Sequence, residues 1–224
     1  IGIIDTLGRE VTPPQYENLY YFQEKVWRVK KGDFWGLIDS SAKEIVPTVY
    51  QDIYYFNDKY LDVRKGNLHG ILEQTGREIL PPEFDYVNSI EDGIIQVSKN
   101  SLSGYVDTTG NYIVPPIIER VTNIGKDIKL LTTNNKYGLF FQDSLTYINP
   151  EYDDIELPDE KGYVIVRKRS KWGWVDRSGN VLLPLHFDAV WPFDENDLAW
   201  VYQYGLEFQI NRKGELVFPK EEEE

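Results

Sequence analysis

A glycine returns at a nearly fixed interval along this chain, and no other feature limits the possible fold so severely. Gly2, Gly36, Gly70, Gly104, Gly138 and Gly173 are separated by 34, 34, 34, 34 and 35 residues, and Phe208 fills the glycine slot of a seventh copy a further 35 on. Other columns keep the same register. Three residues after the glycine stand Asp5, Asp39, Glu73, Asp107, Phe141, Asp176 and Asn211, and six after it Gly8, Ala42, Gly76, Gly110, Ser144, Gly179 and Gly214. Eleven after it come Pro13, Pro47, Pro81, Pro115, Pro184 and Pro219, with Asn149 as the exception. Fourteen after it come Tyr16, Tyr50, Phe84, Ile118, Tyr152 and Phe187, and seven before it Val29, Val63, Val97, Leu131, Val166 and Val201. Self-similarity at this period marks an array of small supersecondary units, each of which needs its neighbours to bury its apolar side.

Each column has a physical job that points to strands. The Asp-x-x-Gly spacing, as in Asp39 to Ala42 or Asp107 to Gly110, predicts a hairpin turn whose carboxylate accepts backbone N–H bonds. Its sixth-position glycine takes a positive φ without a Cβ clash. Short apolar strands flank the turn, Gly36–Asp39 before it and Glu44–Val46 after it, and Pro47 is expected to end the second by removing a ladder donor. An earlier strand alternates, as in Tyr60-Leu61-Asp62-Val63-Arg64, and turns through Lys65-Gly66-Asn67. The segment Tyr50–Ile53 is expected to anchor one unit to the next. The column glycine itself reads either as a site of close approach by another backbone or ring, or as a simple bulge.

The segments Trp35-Gly36-Leu37-Ile38-Asp39 and Trp172-Gly173-Trp174-Val175-Asp176 resemble the WG repeats of bacterial proteins, and the later columns, including Pro81-Pro82 and Phe84-Asp85, match too. Departures are His69 and Ser103 in the Trp slot, and a degenerate fifth copy with Phe141, Ser144 and Asn149. The resemblance spans Gly2 to Pro219. It implies a bacterial β-repeat module with no common activity and adds no catalytic residue. The expected fold is all-β: tandem repeats of three to four short antiparallel strands over 1–219, with 220–224 as a solvated acidic tail. An open, solenoid-like array is favoured over a closed β-propeller. Seven glycine hairpins leave one surplus if spliced into a ring of six, and the unit is shorter than the roughly 40–45 residues of a WD40 blade.

Composition sets the remaining limits. The hydrophobic fraction of 41% suffices for a folded core, and 14% aromatic residues suit both strands and binding surfaces. A net charge of −13 without any basic stripe argues against nucleic-acid and anionic-membrane partners. No apolar run is long enough to span a bilayer, so direct membrane insertion is not expected. The absence of Cys excludes disulfides and thiolate chemistry and leaves the compartment open, with the cell envelope or exterior slightly favoured. The chain opens inside a strand-like segment without an initiator Met, so upstream residues are expected.

Catalysis finds little support. His69 sits in the Trp slot as a packing substitute, and His186 follows Pro184 without convergent partners. The repeated Asp39, Asp107 and Asp176 are turn residues, and Asp153, Asp154, Glu156, Asp159 and Glu160 lack the ligand spacing of a calcium loop. No enzyme activity, metal or cofactor is therefore expected. Eighteen residues after the glycine the chain varies: Tyr20, Tyr54, Asn88, Thr122, Glu156 and Trp191, with Tyr21 and Tyr55 beside two of them. Repeat proteins keep scaffold columns and vary the recognition surface. Tyr20, Tyr21, Tyr54, Tyr55 and Trp191 are the candidate partner-binding residues, for another protein first and for a glycan as the alternative; the bland reading is that these rings pack between units.

Overall fold

The computed structural model describes residues 1–4 and 6–217, and every regular element in it is a strand. The chain begins with a two-stranded sheet, β1 (Ile3–Ile4) and β2 (Glu10–Thr12). Four-stranded sheets follow. The first contains β3 (Asn18–Gln23), β4 (Val26–Lys31), β5 (Phe34–Asp39) and β6 (Glu44–Tyr50). The second contains β7 (Asp52–Tyr55), β8 (Tyr60–Lys65), β9 (Leu68–Glu73) and β10 (Glu78–Phe84). The third runs through β11 (Tyr86–Glu91), β12 (Ile94–Lys99), β13 (Leu102–Asp107) and β14 (Tyr112–Ile118). The fourth has β15 (Arg120–Asn123), β16 (Ile128–Thr133), β17 (Lys136–Phe141) and β18 (Thr146–Tyr152). The fifth has β19 (Asp154–Ile155), β20 (Val164–Lys168), β21 (Lys171–Val175) and β22 (Val181–Phe187). The sixth has β23 (Ala189–Val190), β24 (Leu198–Gln203), β25 (Leu206–Asn211) and β26 (Leu216–Val217). Each sheet is a meander of antiparallel strands in chain order, and none closes on itself as a barrel. The chain divides into two units, 1–112 and 113–224, with the division inside β14. The turn residue Asp5 and the tail expected at 220–224 lie outside the described residues.

The recurring columns become a ladder. The Val or Leu seven residues before each glycine pairs with it across the second and third strands: Val29 with Gly36, Val63 with Gly70, Val97 with Gly104, Leu131 with Gly138 and Val166 with Gly173. Those aliphatic side chains are no more than 1% exposed. In unit 1 one face of the first sheet (Leu37, Val46, Tyr50) packs on Ile53, Leu61, Val63 and Leu72 of the second. The second sheet then offers Ile71, Ile79, Leu80 and Phe84 to Ile95, Val97 and Val106. Unit 2 repeats the arrangement with Leu139, Phe141, Ile148 and Tyr152 against Val164, Val166 and Val175, and with Ile165, Trp174, Leu183 and Phe187 against Ala199, Val201 and Ile210. Each fully buried aliphatic side chain stabilises this stack by about 1.5–3 kcal/mol, which a sheet alone would forgo.

The proline does not end its strand. Pro47 lies inside β6, where the register jumps from Leu37↔Val46 to Trp35↔Tyr50. Two residues of β5 therefore oppose four of β6, and the proline sits in a bulge, where no ladder donor is required of it. The bulge also explains the glycine. A Cβ on Gly36 would meet Val46 O at 2.7 Å and Thr48 N at 2.9 Å, and on Gly70 it would meet Leu80 O and Pro82 N, both at 2.7 Å. The two readings of the column glycine are thus one: the partner strand bulges into the space a side chain would fill.

Candidate functional site

The first two strands of each sheet hold the variable column, so their local geometry decides what it can do. In β3, Tyr20 pairs with Arg28 of β4, and alternation places both on the face that also carries Lys30, Trp35 and Leu37. The Tyr20 ring is 5.9 Å from that of Trp35, tilted by 44°, and stays 55% exposed. The Arg28 guanidinium lies 4.0 Å from the Trp35 ring centroid, a cation–π contact. Its Nη2 donates to Asp52 Oδ1 at 2.6 Å, which carries the contact to the next sheet. Asp52 also accepts from Arg64 Nη2 at 3.2 Å and from the Tyr54 hydroxyl at 2.9 Å. Burial raises the Asp52 carboxyl, but the hydrogen bonds from Arg28 and Tyr54 outweigh it and hold the group below its ordinary range. The same bond raises the Tyr54 phenol. Tyr54 is 44% exposed, so both rings of the column are held at one edge and available at the other.

Tyr21 and Tyr55 point from the opposite faces of β3 and β7. Tyr21 sits edge-on to Trp27 at 5.7 Å. The Tyr55 hydroxyl donates to Asp58, which raises its phenol, and Tyr55 borders a cavity of about 520 Å³ lined also by Gln23, Glu24, Val26, Asp58 and Gln74. Gln23 Nε2 donates to Gln74 Oε1 at 2.8 Å, tying the two sheets at this cavity. Trp191 belongs to unit 2, where its N–H donates to Trp200 O at 3.0 Å. The structure therefore joins Tyr20 to Tyr54 within unit 1, through Trp35, Arg28 and Asp52. The remaining members of the column are exposed Asn88, donating to Ser98 at 3.3 Å, exposed Thr122, and Glu156, raised by burial and by Asp154.

The residues weighed for chemistry are otherwise engaged. His69 Nδ1 lies 3.0 Å from both Asp62 oxygens, and its ring stacks on Tyr86 at 6.0 Å. His186 packs against Phe187 at 4.1 Å. Asp153 accepts from Lys136 and from Arg169 N, Asp154 from Arg167, and Asp159 from Arg212 and two backbone N–H groups. Among the described residues no group of three His, Asp or Glu is placed to hold a metal.

Sequence reasoning missed two features of this region. Glu17, Gln51, Asp85, Glu119, Asp153 and Asp188, one residue after the aromatic column, each accept a backbone N–H from the turn between the second and third strands, at 2.7–3.2 Å. The signal was present as an acid-or-amide column. The second is the exposed pair Trp200 and Tyr202, whose alternation in Leu198–Gln203 was legible but belongs to no column.

A family model described as WG containing repeat matches residues 1–33, 35–68, 70–102, 104–137, 148–172 and 172–206. The one sizeable gap, 138–147, coincides with the copy in which Phe141 and Ser144 replace Asp and Gly. No curated protein matches the chain. Among solved structures, Kluyveromyces lactis Hsv2 is similar at 10% identity over 84% of this chain and 71% of that one, with a TM-score of 0.31. PorZ, a bacterial surface component of the type-IX secretion system of Porphyromonas gingivalis, gives 7% identity, 90% and 32% coverage and a TM-score of 0.29. The extracellular domain of the putative one component system BT4673 from B. thetaiotaomicron gives 8% identity, 92% and 35% coverage and a TM-score of 0.30. The chain spans about a third of the length of the last two.

Proposed function

Because this chain belongs to the WG containing repeat family, we propose that it is a non-catalytic protein-interaction module, whose partner docks on the first two strands of the sheets in unit 1. The observation that carries this reading is the exposed column of Tyr20 and Tyr54, linked by Trp35, Arg28 and Asp52. Tyr, Trp and Arg dominate the energetic centres of protein interfaces, because they bury large areas at low entropic cost. Here Arg28 and Tyr54 are already fixed by Asp52, so little ordering remains to oppose association. The acidic surface favours a partner that is neutral or basic at the contact.

Affinity capture from cells of the source organism tests this, with wild type compared against Tyr20→Ala/Tyr54→Ala. A protein recovered by wild type and lost from the variant supports the reading. Equal recovery by both moves the site elsewhere, and no specific protein in either refutes it.

A further inference from the structure

The sixth sheet differs from the others on the face that carries Trp191. One residue after the glycine column, that face elsewhere holds buried Leu37, Ile71, Tyr105, Leu139 and Trp174. In the sixth sheet Gln209 takes this place, and Glu207 takes the slot of Trp35 and Trp172. The area that receives another sheet elsewhere is here polar. Beside it the aromatics accumulate. Trp200 pairs with Gln209, Tyr202 with Glu207 and with Ala189, and the Trp191 N–H bond to Trp200 O extends the same ladder. Trp191, Trp200, Tyr202, Gln209 and Glu207 therefore share one face. The three rings are 43%, 48% and 40% exposed. No polar atom of these five side chains has a hydrogen-bond partner among the described residues.

From this face we propose that unit 2 binds a neutral, β-linked polysaccharide. Directly opposed residues on adjacent strands have Cβ atoms about 4.5–5.5 Å apart, as Trp191 and Trp200 are placed by the ladder, and Tyr202 follows two residues along the strand of Trp200, so the three rings stand side by side on one face as a platform. A pyranose ring presents an apolar C–H face and a polar rim. The platform answers with ring faces and with unpaired indole N–H, phenol, amide and carboxylate groups around them. An extended β-linked ribbon lays successive faces on such a plane. The alternative occupants fit less well. A further sheet would place apolar side chains over Gln209 and Glu207, an anionic polymer would meet a chain of charge −13, and among the described residues the strands of this face offer no Arg or Lys to a phosphate or carboxylate.

Sedimentation-depletion assays with microcrystalline cellulose and with chitin powder test the inference, using wild type, Trp191→Ala/Trp200→Ala and Trp200→Phe. Wild type should be depleted by at least one polymer, with binding that persists at high salt. The double variant should bind roughly tenfold more weakly, and Trp200→Phe should keep most of the binding. Because the rings are exposed, all three proteins should melt at the same temperature. Wild-type recovery no better than serum albumin on both polymers overturns the inference, as does undiminished binding by a folded double variant. The Tyr20–Tyr54 surface is untouched by these variants, so either result leaves the protein-interaction reading standing.

Discussion

Gly70 and Leu72 are two residues apart in β9 and fail in opposite ways when changed. A methyl group added at Gly70 would collide with Leu80 O and Pro82 N, backbone atoms of a bulge that cannot rotate away. Gly70→Ala should cost about 1–3 kcal/mol through forced backbone shifts. Gly32, with φ of 58° and nothing within 4 Å of a built Cβ, has no such clash, and Gly32→Ala should cost only the left-handed penalty of about 1–2 kcal/mol. Leu72, 1% exposed in the core between the first two sheets, should lose about 2–5 kcal/mol on change to Ala. Urea denaturation of the three variants checks the order. The sequence made the glycine visible as a column, and the register Val63↔Gly70 and Leu61↔Leu72 then places Leu72, two residues on, on the same face of β9. The sequence did not show what crowds the glycine, since the bulge is set by Pro47 and its counterparts through pairing that no local pattern encodes.

At the scale of the element, the hairpin turns carry the repeat. Asp107 Oδ1 accepts from Thr109 N at 2.8 Å, Thr109 Oγ1 at 2.6 Å and Asn111 N at 3.0 Å, while Gly110 takes a φ of 92°. Asp39 and Asp176 repeat the pattern, and Asn211 repeats it with an amide. Asp107→Asn should therefore leave the melting temperature nearly unchanged, whereas Asp107→Ala should lower it by several degrees, at roughly 1 kcal/mol for lost turn bonds. The degenerate fifth copy confirms the logic by exception: with Phe141 and Ser144 in the two slots, the positive φ moves to Leu145. Turns of the same kind at Asp159 and Asp194, between first and second strands, stand outside the columns, and Asp159 is not set apart by any local pattern from the acidic residues around it.

For the whole molecule, the period was legible and its phase was not. Counting from glycine to glycine divides each sheet, whereas the first five four-stranded sheets begin sixteen residues after one glycine and close fourteen after the next. The reason is physical. Sequence columns mark the turn and the core, but the sheet is bounded by the short link at Gln51 and its counterparts, where a single polar residue changes sheets. The candidate surface was legible as a variable column, and Arg28, Asp52 and Trp35 joined it only through folding, because they come from different strands and two sheets.

The acid limb of stability follows from the same network. Among the described residues Asp39, Asp52, Glu73, Asp107, Asp143, Asp153, Asp176, Asp188 and Asp197 are held below their ordinary ranges by hydrogen bonds and nearby cations. Of the described carboxylates, Asp62 and Glu156 are raised, both chiefly by burial. A lowered folded-state pKa contributes stability that is present above the unfolded value and lost as pH falls through the folded one; the two raised groups act in the opposite sense. The urea midpoint should therefore rise slightly from neutrality as Asp62 and Glu156 take up protons, and decline below the unfolded carboxylate range near 4. Exposure screens each contribution, so the slope should be shallow.

On the proposed reading, Tyr20 and Tyr54 face a protein partner. Side-chain footprinting by radical labelling, on the chain alone and in complex with the captured protein, tests it most directly. Protection of Tyr20 and Tyr54 in the complex, with Tyr86 and Tyr204 labelled as before, is the predicted result. Unchanged labelling of Tyr20 and Tyr54 in a saturated complex would contradict it.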